Sequence, residues 1–226
     1  YNQSNGENID PTPVFGVVGT VENLKYRAPG IELADGDVLL LVEATQYASE
    51  SFEERDDVVL AGSEFATMND ERNGMCPVVD LEASVSAIEA VRDFVFAQMQ
   101  NPIDDRSISA IHDISKGGLF VTLAEMTSAS NCGLDVAIAN GAPALWSLFA
   151  QGPGRFILSV KKEKLNEVVS SFDAKIISTT VIGNVTNDGE QSQAIIRQGS
   201  NEIIKLEVSE INDLLSTSLE KAILQH

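Results

Sequence analysis

Cysteine is scarce, with Cys76 and Cys132 the only two among 226 residues. Two lone thiols make no disulfide framework, and they predict a reduced, intracellular chain. Neither has a second Cys or a His at ligand spacing, which argues against a zinc centre. The histidines are His112 and His226 alone. Cationic side chains are few: 15 Lys+Arg stand against 34 Asp+Glu, for a formal net charge of −19 and a pI of about 4.3. A duplex-binding surface needs clustered Lys and Arg. The one basic cluster, Lys161, Lys162 and Lys164, is interrupted by Glu163, so nucleic acid is not an expected partner. No run approaches the ~20 apolar residues of a membrane span. The longest, residues 38–42, has strand length. Residues 1–10 are polar without a basic n-region, so no signal peptide is expected and the cytoplasm is the expected location. Also missing are Gly-x-Ser-x-Gly, Gly-x-x-x-x-Gly-Lys-Ser/Thr and Gly-x-Gly-x-x-Gly, the marks of a nucleophile elbow, a P-loop and a dinucleotide fold.

What is present suits a globular chain, with 43% hydrophobic and 22% charged residues. Residues 14–21, VFGVVGTV, predict a buried strand, and 38–42, VLLLV, a second one. The clearest helix is 81–99, whose Val85, Ile88, Val91, Val95 and Met99 recur at three or four. Residues 108–111 predict a strand, 119–128 a helix and 134–138 a strand. Then follow a short helix or turn at 145–149, a tight loop at 151–154, a strand at 156–160, a helix at 163–172 and a strand at 180–185. Asn187-Asp188-Gly189 has hairpin chemistry. Residues 194–197 and 203–208 pair as strands, and an amphipathic helix capped by Ser209 covers 209–224. Alternation of strands and helices predicts an α/β (α+β type) module, a mixed sheet packed with helices.

Residues 109–126, SAIHDISKGGLFVTLAEM, hold the sharpest chemistry. A strand delivers His112 and Asp113 at its carboxyl end, where open α/β sheets bind ligands, and Gly117-Gly118 turn the chain into a helix. Helix-start N–H groups favour phosphate, and a carboxylate there suits Mg²⁺. The plainer alternatives are that Asp113 or Ser115 caps the helix, that the glycines only make the turn, and that His112 is packed and hydrogen-bonded. In 60–64, LAGSE, a glycine-serine turn followed by a carboxylate reads either as a ligand-facing turn or, more plainly, as a helix start with Ser63 as cap. In 151–156, QGPGRF, Arg155 reads either as a fork for phosphate or carboxylate or as a surface salt bridge. The acidic run 50–57 reads as a solvated face.

The stretch 111–126, IHDISKGGLFVTLAEM, resembles the His-Asp-x-Ser-Asp-Gly-Gly-Leu-x-x-x-Leu-Ala-Glu-Met signature of the phosphoribosylformylglycinamidine synthase family, within the aminoimidazole ribonucleotide synthetase-like ATP-using enzymes. Four other stretches agree in order. They are YNQS followed by PTPVFGVVG (1–4 and 11–19), DGDVLLL (35–41), GSEF (62–65) and PVVDL (77–81). Lys116 departs from the signature, which carries Asp there.

The resemblance implies an aminoimidazole ribonucleotide synthetase C-terminal-like module over 21–226, preceded in 1–20 by the last strand of a nucleotide-binding module. The chain then looks cut from a longer protein of the small form, inactive alone. The parent reaction is ATP-dependent amidation of formylglycinamide ribonucleotide to the amidine in purine biosynthesis. ATP and Mg²⁺ are the implied cofactors, and a glutaminase subunit and a small bridging subunit the implied partners. Carried over residue by residue, Asp113 is a metal ligand, and Ser115, Gly117, Gly118 and Arg155 face a nucleotide. No catalytic residue is implied. The alternatives are a non-catalytic structural or interaction module and another ATP-dependent enzyme of the same superfamily.

Overall fold

The computed structural model describes residues 3, 4, 6–8, 14–44, 60–70 and 79–224. Cys76, His226, the acidic run 50–57 and the motif residues 1, 2, 11–13, 77 and 78 lie outside them. Two short strands, β1 (Gln3–Ser4) and β2 (Glu7–Asn8), pair antiparallel with each other. The body begins with β3 (Val38–Glu43), followed by α1 (Glu64–Met68), α2 (Leu81–Met99), β4 (Ile108–Asp113), α3 (Gly118–Ser130), β5 (Gly133–Ile138), α4 (Ala144–Phe149), β6 (Arg155–Val160), α5 (Leu165–Asp173), β7 (Ser178–Thr186), β8 (Gln193–Gln198), β9 (Asn201–Glu207) and α6 (Val208–Leu224).

The seven strands of the body form one mixed sheet in the order β4-β6-β3-β7-β5-β8-β9. Neighbours run antiparallel except β5 and β8, which are parallel. β3 is an interior strand, between β6 and β7, and its unbroken apolar run follows from cover on both faces. Leu39 and Leu41 enter a core shared with Leu119, Leu123, Met126, Leu148 and Ile211 of α3, α4 and α6. Leu40 and Val42 point the other way, into a core with Ala87, Ala90 and Val91 of α2 and Val168 and Phe172 of α5. A strand covered on both faces has no reason to alternate. Leu39, Leu40 and Val42 are wholly buried, each worth roughly 1.5–3 kcal/mol of transfer free energy.

Ahead of the body, a 3₁₀ turn at Leu24–Tyr26 is capped by Asn23, whose Oδ1 accepts the Lys25 N–H at 3.0 Å. Buried Arg106 holds this segment down: Nη1 donates to Arg27 O at 2.7 Å, Nη2 to Lys25 O at 3.4 Å and Nε to Asn101 O at 3.2 Å. Burial lowers the Arg106 pKa from its ordinary value.

The structure differs from the sequence reading at four places. Residues 14–21 form no strand, and Val14, Phe15, Val17 and Val18 stand exposed. A β-pattern becomes a strand only where a neighbouring edge and a core face accept it. The inward side of α2 is shifted: of the predicted stripe Val91 is buried and Val95 packs on the core, whereas Val85 and Ile88 are exposed and Ser84, Ala87, Ala90 and Gln98 are buried instead. Small residues there let the helix lie close to the sheet. Asn187-Asp188-Gly189 is not a hairpin, because β5 lies between β7 and β8. Ser209 is not a cap. The helix α6 starts at Val208, directly after β9, and the Val208 N–H is taken by Ser192 O at 3.0 Å.

Candidate functional site

Three separated stretches, 62–65, 113–118 and 151–155, meet at the carboxyl end of β4. Their junction is the side chain of Gln151. With the amide turned so that its oxygen meets the two facing donors, Oε1 accepts the N–H of Glu64 at 2.9 Å and the N–H of Gly117 at 2.8 Å. Lys116 Nζ adds an ion pair to Glu64 Oε1 at 3.1 Å. Ser63 caps α1, its Oγ accepting the Ala66 N–H at 3.1 Å, as the sequence predicts. Phe65 of α1 stacks on Phe149 of α4 with ring centroids 4.8 Å apart, and Phe120 of α3 packs on the same ring at 5.6 Å.

The glycine pair is a steric requirement. Gly117 and Gly118 have φ of +81° and +69°, in the left-handed region that a side chain disfavours. A Cβ on Gly118 would lie 2.5 Å from Leu148 O, so α3 and α4 approach there by backbone alone. The N–H groups of the pair are not offered to a ligand as expected. Gly117 gives its proton to Gln151 and Gly118 to Ser115 O at 3.0 Å. The plainer alternative, that the glycines make the turn, is the geometry observed. Neither Asp113 nor Ser115 caps α3, because Gly117 occupies the N-cap and no side chain bonds there.

Beside this junction lies an open cleft of about 490 Å³, bordered by Ile88, Asp113, Ser115, Lys116, Pro153 and Phe156. Asp113 and Ser115 are thus brought together on one wall. Ile88, which the periodicity placed in the core, is an apolar part of the rim. The loop 152–154 closes tightly on α2: Gly154 has φ +77°, and a Cβ there would sit 3.1 Å from Ser84 Cα.

Arg155 borders the same cleft, but its guanidinium turns inward. The residue is only 7% exposed. Its Nε donates to Glu43 Oε2 at 3.2 Å and its Nη1 to Ala150 O at 3.2 Å. The surface salt bridge is corrected, since the pair is buried, and the carboxylate that Arg155 meets is Glu43 inside the fold. On the far side of the pair, beneath α4, lies a mostly apolar cavity of about 300 Å³ lined by Leu41, Trp146 and Ile182.

His112 is packed and hydrogen-bonded, as the plainer alternative has it. Nε2 lies 2.9 Å from Glu125 Oε2 and Nδ1 3.3 Å from Asp113 Oδ1. The parts that sequence reasoning missed are Glu43, Glu125 and the bridging amide of Gln151. A carboxylate ending the apolar run 38–42 was the signal for the first.

Among the described residues no three His, Cys, Asp or Glu side chains gather into a metal centre. The donor set at the cleft is one carboxylate and one hydroxyl, Asp113 and Ser115. That set fits Mg²⁺, which binds through one or two carboxylates with phosphate and water completing its shell.

Residues 34–195 match the family model described as AIR synthase related protein, C-terminal domain. The chain belongs to this family. A phosphoribosylformylglycinamidine synthase subunit PurL from Bartonella bacilliformis is 33% identical over 190 residues, 83% of this chain and 23% of that protein. T. maritima PurL complexed with FGAR superposes with a TM-score of 0.63 at 13% identity, over 84% of this chain and 30% of that one. A PurLQS structure from Thermotoga maritima superposes at 0.56 with 12% identity, over 81% and 27%. These likenesses show the fold, a mixed sheet with helices on both faces. The chain spans about a quarter of the length of the curated relatives it matches. No helix among the described residues is long and apolar enough to cross a membrane.

Proposed function

We propose that this chain is the C-terminal module of the synthetase subunit of a phosphoribosylformylglycinamidine synthase, a cytoplasmic ATP-dependent carbon–nitrogen ligase. The observation that carries this reading is the meeting of two family-like stretches, 62–65 and 113–118, at the Gln151 junction, with 113–116 and 151–155 bordering the cleft beside it. Residues 1–20 then belong to the end of a preceding nucleotide-binding module, whose sheet would supply the neighbouring edge that 14–21 lack and cover the apolar side chains of 14–18. The parent enzyme amidates formylglycinamide ribonucleotide with ATP, and takes ammonia from a glutaminase subunit through a small bridging subunit. The relatives bear on these points through the FGAR complex and the PurLQS assembly.

In this reading the module forms one wall of an auxiliary nucleotide site and is inactive alone. Asp113 offers its carboxylate to Mg²⁺, and the Ser115 hydroxyl meets the nucleotide. When bound, the ion neutralises charge on phosphate oxygens. Lys116 sets a second cation beside that wall. Gly117 and Gly118 provide the bend, and Arg155 neutralises Glu43 beneath the loop 151–154. Calorimetric titration of MgATP and MgADP into this chain is expected to show binding that Asp113→Ala removes. Binding that survives that substitution overturns the metal assignment.

A second reading, an interaction module with no nucleotide, is favoured by the exposed apolar edge of α2, where Leu81, Val85 and Ile88 stand one turn apart. Complete absence of nucleotide binding in the same titration decides for it.

A further inference from the structure

Beside the cleft, α3 turns two polar side chains toward the end of β4. Thr122 and Glu125 are three positions apart on the helix, hence neighbours on one face. The Thr122 hydroxyl shares its one proton between Asp113 O at 3.1 Å and Gly118 O at 3.2 Å, tying the end of β4 to the first turn of α3. Glu125 Oε2 lies 2.9 Å from His112 Nε2, and the opposite ring nitrogen, Nδ1, lies 3.3 Å from Asp113 Oδ1. The imidazole is largely covered, with 17% of its side chain exposed, whereas the Asp113 side chain is 60% exposed. An exposed carboxylate otherwise turns freely about two torsions. This one has its backbone tied to Thr122 and one oxygen in contact with the His112 ring. Both ring nitrogens face carboxylate oxygens, so the ring orientation is set by Glu125 at one end and read by Asp113 at the other.

We propose that Glu125, acting through His112, is a positioning residue that holds the Asp113 carboxylate in the orientation a divalent cation requires at the cleft. The proposal rests on the reading of Asp113 as a cation ligand. Partners that orient a ligating group lower metal affinity about 10–100-fold when removed. Ordering the carboxylate beforehand spares the ion that cost on arrival.

The test uses the whole 226-residue chain and MnCl₂ as probe, following paramagnetic broadening of the Ser115 amide resonance, which reports on this wall rather than on other acidic sites. Glu125→Ala is expected to raise the apparent Kd for that broadening about tenfold, with the urea midpoint read alongside. Glu125→Gln, which keeps an acceptor for the ring, is expected to stay within about threefold. Asp113→Asn abolishes the broadening. Broadening that persists in Asp113→Asn, or none in the unsubstituted chain, overturns the underlying reading and this inference with it. Loss in Asp113→Asn with unchanged affinity in Glu125→Ala overturns this inference alone. Equal weakening by Ala and Gln at position 125 also overturns it, because charge and not orientation is then what Glu125 supplies.

Discussion

Lys116 Nζ and Glu64 Oε1 lie 3.1 Å apart, joining the turn before α3 to the first residue of α1. Where the family signature has an aspartate, this chain has a cation that is paired, and the pair runs parallel to the Gln151 bridge between the same two segments. Lys116 therefore adds a clasp at the rim and a positive charge near Asp113.

Replacing that lysine separates the two effects. The pair is exposed, with 86% and 47% of the two side chains open to solvent, and such pairs contribute at most about 1 kcal/mol. Lys116→Asp is expected to leave the urea midpoint nearly unchanged. It is expected to tighten the Mn²⁺ broadening of Ser115, because a second carboxylate then faces the cleft. An unchanged or weaker Mn²⁺ response contradicts the placement of this charge.

Gln151→Ala withdraws the acceptor shared by two backbone N–H groups. Gly117 is buried and Glu64 exposed, and one orphaned buried donor costs about 1–3 kcal/mol, so the expected loss of stability is of that order. Gln151→Glu supplies oxygens at the same reach and is expected to lose clearly less. Urea denaturation of the three proteins checks the ranking.

The Glu43–Arg155 pair spans neighbouring strands inside the fold. Removing one member of a buried pair strands the other, at a cost of about 3–5 kcal/mol, while removing both is far gentler. Glu43→Leu and Arg155→Met are each expected to destabilise strongly, and the double variant less than the sum of the two. Chemical denaturation of the full cycle measures the coupling. Additive losses would show that the contact contributes little.

Cys132 is 5% exposed, and burial pushes its thiol pKa above the ordinary 9.0. The unfolded chain ionises this thiol first as pH rises. The contribution to stability is therefore complete below about pH 9 and declines above it, as the unfolded state gains the thiolate. In a Cys76→Ser background, iodoacetamide labelling at pH 8 is expected to proceed only after denaturation. Replacing Cys132 with Ala is expected to flatten the alkaline fall in stability. Rapid native labelling contradicts the burial.

The parts of the fold that sequence made legible are those set by local chemistry. The run 38–42 reads as a buried strand, and both its faces are covered. Ser63 reads as a helix start, and its Oγ accepts the expected N–H. What escaped depends on neighbours distant in sequence. The buried side of α2 is chosen by closeness to the sheet, so Ala87 and Ala90 displace the more apolar Val85 and Ile88. The turn at 187–189 has hairpin residues, but β5 takes the place between its strands. At the site, the bend at Gly117-Gly118 was legible from composition. The fate of its N–H groups was not, because the competitor, Gln151, arrives from another loop. Arg155 was singled out correctly as a neighbour of the cleft and wrongly as a group facing it, since its partner Glu43 belongs to a different strand.

The junction of β9 and α6 has no connecting residues: Glu207 ends the strand and Val208 starts the helix. With the Val208 amide tied to Ser192, the helix axis has no swivel where it leaves the sheet. A load placed on α6 is delivered as torque to the edge of the sheet rather than absorbed in a slack joint.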